Sequence, residues 1–496
     1  MAGYKYTREE LVKLLKPTVG KTLGEVDVNR IFDKTITHPK ITGIAGLVIE
    51  CSVLGHKADN KQEADLIVNG IPTELKTTGL KHTKKGSEFP LEAKEPMSIT
   101  AVSPDKIIYE EFYTSKFWEK AENTLFVYYL YDSLKTVTAS EYADFPIVGF
   151  HFHKFDKHDT EVLENDWSVV RDFILHLKSS EKTPEDYYHL ISKLRTKMMY
   201  MDTAPKYPNP PRFRFKRSFV STIVQNYLYS ARLEELATEK DFTNYIELDS
   251  LLSEITAKYF NWTLEEIANN IQFTLPRDKK GKVSKQIIEQ LLVRLFGASS
   301  KKIRQIDTFA KIGILPKSII QTSKGGRTED MKFDTVDFKE WCNPEIEFED
   351  SVVYEFFANQ TILFTIFQED DKDTPLDKVR FKGFKRYQFD DEFIKEKVRP
   401  TWERVRYLVN SGEFKVSLRR NKKGELIITP KTKLPSEETN LPKSKDYDVF
   451  LRGTGSDAST KSYELSGYRM YSQQFWLKGS TVIKLLENID FIPVQY

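Results

Sequence analysis

The fold is decided by one short segment, Ala64-Asp-Leu-Ile-Val-Asn-Gly-Ile-Pro-Thr-Glu-Leu-Lys-Thr-Thr78. Asn69 and Gly70 stand between two apolar runs, and both residue types tolerate the positive φ angles of a two-residue turn. The segment therefore predicts a β-hairpin with Asp65 on its first strand and Glu74 and Lys76 on its second. Because side chains alternate along a strand, Glu74 and Lys76 share one face.

The three polar residues of this hairpin form the pattern Asp-x(8)-Glu-x-Lys, which suits metal-dependent hydrolysis of phosphodiesters. Two carboxylates that converge across a hairpin can bind Mg²⁺ and leave positions for water and a phosphate oxygen. A neighbouring lysine can orient or deprotonate the attacking water and offset charge on the phosphate. Acid-x-Lys triplets also arise by chance, and Glu92-Ala-Lys94 is one. The hairpin differs because it lies on apolar strands, where an unpaired charge is costly.

The charges of the 496-residue chain nearly cancel, with 75 lysines and arginines against 73 acidic residues. This balance excludes a polybasic protein, so contact with a polyanion has to come from local patches. Cys51 and Cys342 are the only cysteines, which excludes a disulfide framework and a cysteine-rich zinc site. The longest apolar stretch, 352–367, contains Glu355 and Asn359. With no apolar leader at the start, we expect a cytoplasmic protein without a membrane partner.

The periodicity of apolar residues predicts a mixture of helices and strands. A capping box at Thr7 and Glu10 predicts an N-terminal helix, and further helices are expected at 44–54, 218–233 and near the C-terminal end. Residues 116–122 indicate a turn or short helix. Strands are predicted at 124–131, 146–153, 352–368 and 379–389.

A second informative segment is Pro211-Arg-Phe-Arg-Phe-Lys-Arg-Ser-Phe219, in which cations alternate with aromatic residues. One apolar face can anchor such a strand while a basic face meets phosphates or bases. A solvated edge strand is the alternative interpretation. The candidate DNA-binding cations are Arg212, Arg214, Lys216 and Arg217.

The residues around the hairpin resemble a known family. Gly46-Leu-Val-Ile-Glu50, Leu54-Gly55, Ala64-Asp65 and Gly70-Ile-Pro-Thr-Glu74-Leu-Lys76-Thr look like the active-site region of MutH, the strand-nicking endonuclease of mismatch repair. They look equally like the two-domain type II restriction endonucleases of the Sau type, which cut GATC. The resemblance implies an α/β fold with two tandem restriction-endonuclease-like domains of the PD-(D/E)xK, MutH-like type. Each domain would have a mixed central sheet flanked by helices.

The same resemblance implies the roles of individual residues. Asp65 and Glu74 would hold Mg²⁺, Lys76 would position the water, Glu50 would orient the site, and Lys120 would contact the scissile phosphate. Segment 211–219 is similar to the family segment that enters the DNA groove, and Lys206 lies where the family reads bases. Arg214 departs from the family, because MutH-like proteins carry there a tyrosine that senses adenine methylation.

The second half of the chain resembles a copy of the first without its chemistry. Residues 306–317 parallel the hairpin, with Lys317 in the lysine's place, Leu315 replacing the glutamate and Asp307 one residue out of register. We therefore expect no metal chemistry there. The predicted boundaries are 1–235 for a catalytic domain and 236–496 for an inactive, DNA-binding, allosteric domain. Its candidate DNA contacts are Arg452, Thr454, Lys461, Gln473 and Gln474.

The sequence thus predicts a Mg²⁺-dependent type II restriction endonuclease that acts on double-stranded DNA with two sites bound at once. We expect it to act as a monomer or a DNA-induced dimer, in a restriction-modification system whose cognate methyltransferase is encoded separately. One alternative is a MutH-like mismatch-repair nicking endonuclease, although MutH itself has a single domain. The other is a DNA-binding regulator that does not cleave.

Overall fold

A computed structural model describes the whole chain except residues 1–3, 40, 42, 57–64, 84–88, 134–136, 179–183, 205–209, 231–232, 323–328, 372, 430–432, 456–459, 462 and 494–496. The described residues divide into two compact units. The first comprises Met1–Ser133, Val137–Leu251 and Glu289–Ile314, and the second comprises Leu252–Ile288 and Leu315–Tyr496. The predicted domain boundary at residue 235 stays a prediction. The first compact unit also takes in residues 236–251 and 289–314.

The first unit is built on a mixed six-stranded sheet in the order β1-β2-β3-β6-β7, with β4 added beside β3. Pairs β1–β2 and β3–β6 are parallel, whereas β2–β3 and β6–β7 are antiparallel. A smaller antiparallel sheet has the order β5-β9-β8. The strands are β1 (Tyr4–Tyr6), β2 (Leu66–Val68), β3 (Ile71–His82), β4 (Leu91–Ala93), β5 (Met97–Ala101), β6 (Asn123–Leu130), β7 (Ile147–Lys154), β8 (Met201–Ala204) and β9 (Arg212–Phe215).

Helices flank these sheets and bury their apolar faces against them. The predicted capping box at the first helix is confirmed, because Thr7 Oγ1 accepts from Glu10 N–H and Glu10 accepts from Thr7 N–H. One core cluster joins Leu11 and Leu15 of that helix to Leu66, Leu75 and Leu125 of the central sheet. The helices are α1 (Arg8–Leu15), α2 (Lys34–Thr37), α3 (Ile44–Val48), α4 (Pro104–Ile107), α5 (Lys116–Ala121), α6 (Lys157–Lys178), α7 (Pro184–Lys193) and α8 (Arg217–Tyr229).

Four helices follow in the chain: α9 (Tyr245–Tyr259), α10 (Leu264–Asn270), α11 (Ile287–Leu295) and α12 (Asp307–Ile312). The expected parallel between residues 306–317 and the hairpin is wrong for its first half. Asp307 begins α12 and accepts an ion pair from Lys311 one turn later, at 2.6 Å. The i, i+4 spacing of these two residues favours a helix, and Gly313 ends it at a positive φ angle.

The second unit contains two three-stranded sheets, β10-β12-β13 and β11-β19-β16, and two separate hairpins, β14–β15 and β17–β18. Its strands are β10 (Ile314–Thr322), β11 (Met331–Thr335), β12 (Thr361–Glu369), β13 (Arg380–Gln388), β14 (Val416–Leu418), β15 (Glu437–Thr439), β16 (Val449–Gly453), β17 (Tyr463–Leu465), β18 (Tyr468–Met470) and β19 (Gln473–Leu477). Its remaining helices are α13 (Phe338–Trp341), α14 (Val352–Asn359), α15 (Asp391–Phe393), α16 (Arg399–Asn410) and α17 (Gly479–Glu487).

The second unit repeats the strand order of the first. In chain order, β3, β5, β6, β7, β8 and β9 form the sheets β3-β6-β7 and β5-β9-β8. The second unit has six corresponding strands, which in chain order are β10, β11, β12, β13, β16 and β19. When they are matched to the first six in this order, sheet β10-β12-β13 corresponds to β3-β6-β7 and sheet β11-β19-β16 corresponds to β5-β9-β8. A helix precedes the third strand in both units. Hairpin β14–β15 has no strand counterpart among the described residues of the first unit, and the place that corresponds to β17–β18, between β8 and β9, includes residues 205–209, which lie outside the described residues.

The predicted strand over 352–368 is only half correct. Residues Val352–Asn359 form α14 and the strand begins at Thr361. Ser351 starts the helix by accepting from Tyr354 N–H, and buried Val353, Phe357 and Ala358 have helical spacing. A side-chain cap therefore overrides the strand preference of the adjacent valines. Across the part of the chain that the structure describes, no helix is long and apolar enough to cross a membrane.

Candidate active site

The predicted hairpin is present and carries the candidate catalytic residues. Asn69 and Gly70 have φ angles of 49° and 84°, as a two-residue turn between β2 and β3 requires. Leu66 pairs with Thr73, so Asp65 comes to lie beside Glu74. Strand β3 runs through the middle of the central sheet, with β2 on one side and β6 on the other.

Glu74 is the centre of the site. Its side chain is about 3% exposed, and Lys76 Nζ donates to Oε1 over 2.9 Å. Lys120 Nζ donates to both carboxylate oxygens, at 3.1 and 3.3 Å. A charge this well shielded from water is tolerable because two ammonium groups compensate it. The structure thus brings together Glu74, Lys76 and Lys120, as the sequence predicted.

Asp65 is held next to this group by the backbone. Its Oδ2 accepts from Leu75 N–H at 2.9 Å. Burial first and the Glu74 carboxylate second raise the pKa of Asp65 above its ordinary value, against the opposing effects of Leu75 N–H, Lys76 and Lys120. Two carboxylates that repel each other in a partly dry site form a ready ligand pair for a cation.

Lys120 reaches the site because α5 is anchored at its start. Ser115, which is fully buried, accepts from Trp118 N–H at 3.1 Å and donates to Phe112 O at 2.6 Å. The cap fixes the direction of α5 and hence the side of the helix that presents Lys120. The parallel pairing of Glu74 with Thr124 on β6 then places the end of α5 beside β3.

Glu50 lies in a π-helical turn over Ile49–Val53 that continues α3. Turns of this kind often occur at functional sites. The helix packs closely on β3, because a Cβ atom built at Gly46 would lie 3.4 Å from Thr77 Oγ1 and 3.9 Å from Glu50 Oε1. The Glu50 carboxylate therefore lies on the side of α3 that borders the catalytic strand.

The alternating segment 212–215 forms β9, which is the middle strand of its sheet and not a solvated edge strand. Phe213 and Phe215 are buried, whereas Arg212 is exposed, so the predicted apolar and basic faces are present. Arg214 is half-buried, and its guanidinium donates twice to Asp202 on β8, both at 2.8 Å. The sequence pattern did not identify Asp202 as its partner, because only strand pairing brings the two together.

Lys216 is a correction to the sequence prediction. Its side chain is buried, and Nζ donates to Met198 O at 2.5 Å and Arg195 O at 3.3 Å. Burial lowers the pKa of Lys216 to about 8. An ammonium group enclosed in this way cannot reach a DNA phosphate. Lys216 instead stabilises the backbone that precedes β8 by donating hydrogen bonds to it. Lys216 follows β9 directly, so strand alternation, which the prediction used, no longer applies to it.

The remaining candidates of this segment differ in their surroundings. Arg217 donates to Ala93 O at 2.9 Å and to Glu92 at 2.5 Å. Glu92 is thus a structural partner and not a catalytic acid. Lys206 lies outside the described residues. At β9, Arg212 is exposed, whereas Arg214 is half-buried and bound to Asp202.

The candidate contacts of the second unit lie around β16 and β19. Arg452 pairs with Asp330 at 2.6 Å, and its guanidinium lies over the rings of Phe450 and Trp476, 5.0 and 4.9 Å from their centres. Thr454 Oγ1 donates to Gln474 at 2.8 Å. Lys461 forms an ion pair with a nearby carboxylate, and Gln473 and Gln474 are about 6% and 5% exposed. The glutamines are therefore less accessible than the sequence predicted.

The second unit has a buried serine cap like that of Ser115 at the start of α5, but it has no lysine at the position of Lys120. Ser351 is fully buried, caps α14 and donates to Phe348 O at 2.6 Å, as Ser115 does in the first unit. Five residues after this serine stands Phe356, where the first unit has Lys120. The shared Phe-x-x-Ser pattern, at 112–115 and 348–351, is the sequence signal that indicates this correspondence between α5 and α14. Lys317 Nζ donates to Lys332 O at 2.9 Å, so it takes part in a strand contact.

Two comparisons with known proteins agree with this geometry. Residues 54–166 match the family model described as DNA mismatch repair enzyme MutH. Over 366 residues, the chain is 24% identical to a type II restriction enzyme, Sau3AI, of Staphylococcus aureus, and the match covers 70% of each protein. The matched family segment includes Asp65, Glu74, Lys76 and Lys120. These findings confirm the resemblance that the hairpin residues indicated.

Proposed function

We propose that the chain is a Mg²⁺-dependent type II restriction endonuclease that cleaves double-stranded DNA, because residues 54–166 match the MutH family model and the chain is similar to a type II restriction enzyme. The target is a short palindrome, and the resemblance implies GATC. One observation carries the proposal. The nearly buried Glu74 carboxylate is in contact with both Lys76 and Lys120, beside Asp65. That combination of charges in one partly dry site suits phosphodiester hydrolysis.

The donor set fits a hard divalent cation. Asp65 and Glu74 offer oxygen ligands only, and a cation between them would offset both the burial and the repulsion by Glu74 that raise the pKa of Asp65. Among the described residues, no group of three or more His, Cys, Asp or Glu side chains could hold a metal. The other ligands would be water and phosphate oxygens, which agrees with the preference of Mg²⁺ for keeping several waters. When bound, the ion would lower the pKa of a water molecule and polarise the phosphate.

The two lysines would supply the remaining chemistry. The side chains of Lys76 and Lys120 are about 20% and 15% exposed. Each ammonium group can therefore replace its contact with Glu74 by a contact with water or DNA. Lys76 would orient the attacking water and take part in its deprotonation. Lys120 would hold a non-bridging oxygen of the scissile phosphate and offset charge in the transition state. Glu50 would orient the site from the side of α3.

The second unit would serve as a DNA-binding effector. It repeats the strand orders β3-β6-β7 and β5-β9-β8 of the nuclease unit, but Phe356 stands in the position of Lys120. Its cations Arg452 and Lys461 would contact phosphates or bases. Binding there would raise the activity of the first unit, so that cleavage depends on two bound sites. The catalytic protein would be a monomer or a dimer formed on DNA, with a separately encoded methyltransferase protecting the host DNA.

We expect unmethylated plasmid DNA to be cut into discrete double-strand fragments when the protein and Mg²⁺ are added, and to stay intact in EDTA. Sequencing of the fragment ends would identify the target and the cut position. Nicked circles alone would favour a mismatch-repair nickase, and intact plasmid in Mg²⁺ would favour a regulator that does not cleave.

The same assay tests the effector role with matched plasmids that carry one or two targets. The two-site plasmid should be cut about 10-fold faster per site, because coupling between binding sites is typically worth this order of magnitude. Equal rates per site would exclude the effector role and leave the nuclease assignment intact.

Replacing Asp65 with asparagine should raise thermal stability in EDTA by on the order of 2 °C. The raised folded-state pKa of Asp65 means that its ionised form opposes folding above that pKa. The advantage of the variant should shrink as pH falls, since the wild-type carboxyl then becomes neutral. Mg²⁺ should stabilise the wild type more than the variant. Asp132→Asn, at an exposed aspartate, is the control and should show neither effect. Equal Mg²⁺ stabilisation of wild type and Asp65→Asn would remove Asp65 from the metal site.

A further inference from the structure

The second unit contains a polar cleft beside its two separate hairpins. Its cavity measures about 460 Å³ and lies between hairpins β14–β15 and β17–β18 and strand β16. Each of these hairpins forms a separate two-stranded sheet, outside the six strands that the two units share. Where β14–β15 stands between α16 and β16, the first unit has helix α7 between α6 and β8. Cations outnumber acids five to two along the cleft, namely Arg419, Lys443, Arg452, Lys461 and Arg469 against Glu437 and Glu438.

Both acids of the cleft are already engaged with its cations. Glu437 pairs with Lys461, and the adjacent Glu438 pairs with Lys443. The hydrogen bond from Lys443 holds the pKa of Glu438 below its ordinary value, so Glu438 is ionised at neutral pH. Each of these four side chains is between one fifth and about two fifths exposed, so solvent and ligands can reach the pairs. Strand β15 thus lays two neighbouring negative charges against two cations.

The cations are held in place for a polyanionic partner. Arg469 Nη2 donates to Lys461 O at 3.1 Å, which ties β18 to the segment that carries Lys461. Arg452 pairs with Asp330 and lies over the rings of Phe450 and Trp476, so its guanidinium is oriented without losing its charge. Because the cations come from several separate segments around one cleft, they suit successive phosphates along a DNA strand better than one small anion.

We propose that Glu437 and Glu438 act as internal substitutes for DNA phosphates. They hold Lys461 and Lys443 in the cleft, and the backbone of duplex DNA displaces them when the second unit binds. This inference rests on the proposed DNA-binding role of that unit. The exchange sets a minimum strength for the contact between a phosphate and a lysine. A poorly positioned phosphate cannot displace a carboxylate that belongs to the same chain. The arrangement would therefore favour well-fitted duplex over non-specific DNA.

The exchange predicts a gain of affinity when the acids are neutralised. The double variant Glu437→Gln/Glu438→Gln should bind a GATC duplex about 10-fold more tightly, because the exposed pairs to be broken are each worth only a modest free energy. Restoring two cations should also steepen the dependence of log K on log salt, by up to about 0.9 for each. Full-length protein, Ca²⁺ in place of Mg²⁺ to prevent cutting, and fluorescence anisotropy over a salt series give both quantities.

Matched controls separate this effect from a change of net charge. Glu396→Gln/Glu425→Gln removes the same charge from exposed acids of the same unit that do not line the cleft, and it should change affinity by less than about twofold. A control that binds as tightly as the cleft variant would overturn the proposal. Each single cleft variant should show about half of the logarithmic effect, and thermal unfolding should show that all variants fold.

A third pair of substitutions distinguishes failure of this inference from failure of the proposed function. Lys443→Met/Lys461→Met should weaken binding to the duplex at least about 10-fold. Weaker binding by this variant without a gain from the glutamine variant would retain the DNA-binding unit and reject the role of the acids. If the lysine variant binds like wild type, the cleft does not contact DNA and both ideas fall. Inorganic phosphate at millimolar concentration should not compete, and full competition would indicate a small-anion site instead.

Discussion

Replacing Glu74 with glutamine should reduce the rate of DNA cleavage by at least about 10³-fold while specific binding is retained. Glutamine keeps the size of the side chain but removes the charge that Lys76 and Lys120 contact and that a divalent cation requires. Binding should be unchanged or slightly tighter, since a negative charge near the DNA phosphates is removed. Single-turnover cleavage and anisotropy in Ca²⁺ measure the two quantities separately.

The matched control for this prediction is Glu119→Gln, one residue before Lys120 on the same helix. Glu119 pairs with Lys116 at 2.5 Å and is about one third exposed. Its loss should leave cleavage within about twofold of wild type, because exposed ion pairs contribute little. Cleavage by Glu74→Gln at more than a tenth of the wild-type rate would remove the proposed site.

Replacing Lys311 with methionine should destabilise the first unit by about 3 to 5 kcal/mol. Lys311 is 5% exposed and contacts Asp159 and Asp307, both at 2.6 Å. Burial opposes the charge of Lys311, but the two carboxylates outweigh it and raise its pKa. Without the lysine, two largely buried carboxylates would remain next to each other. Thermal or urea unfolding at neutral pH measures the loss.

The dependence on pH gives this prediction a distinctive sign. In the wild type the raised pKa of Lys311 means that its contribution is present at neutral pH and is lost only in strong alkali. In the variant, Asp159 and Asp307 should have raised pKa values, so stability should recover as pH falls and they become neutral. Lys116→Met, at an exposed ion pair, is the control and should be nearly neutral. A Lys311 variant as stable as this control would show that the cluster is not structural.

Much of the candidate site could be predicted from local pattern. The Asn69-Gly70 turn and the apolar alternation around it determine which residues pair, so the neighbourhood of Asp65, Glu74 and Lys76 follows from the chain alone. Lys120 required the resemblance, because it is far from the hairpin in sequence. Its contact with Glu74 depends on the buried cap at Ser115 and on the parallel pairing of β3 with β6.

The DNA-binding cations show where a local sequence pattern no longer predicts which side chains are exposed. Alternation along 212–215 correctly separated the exposed Arg212 from the buried Phe213 and Phe215. It failed for Lys216, since a cation one residue beyond the strand was taken for a surface charge. Only the packed structure shows that the backbone carbonyls of Met198 and Arg195 accept hydrogen bonds from its ammonium group.

The sequence by itself determined the hairpin and the mixed α/β class, because these depend on turn chemistry and residue identity. The tertiary structure decided which charges meet. It joined Lys120 to Glu74, Asp202 to Arg214, and Lys311 to Asp159, which are all distant in sequence. The physical reason is that burial and ion pairing are properties of the packed chain. A charge is costly or useful according to its neighbours, and strand pairing and helix packing set those neighbours.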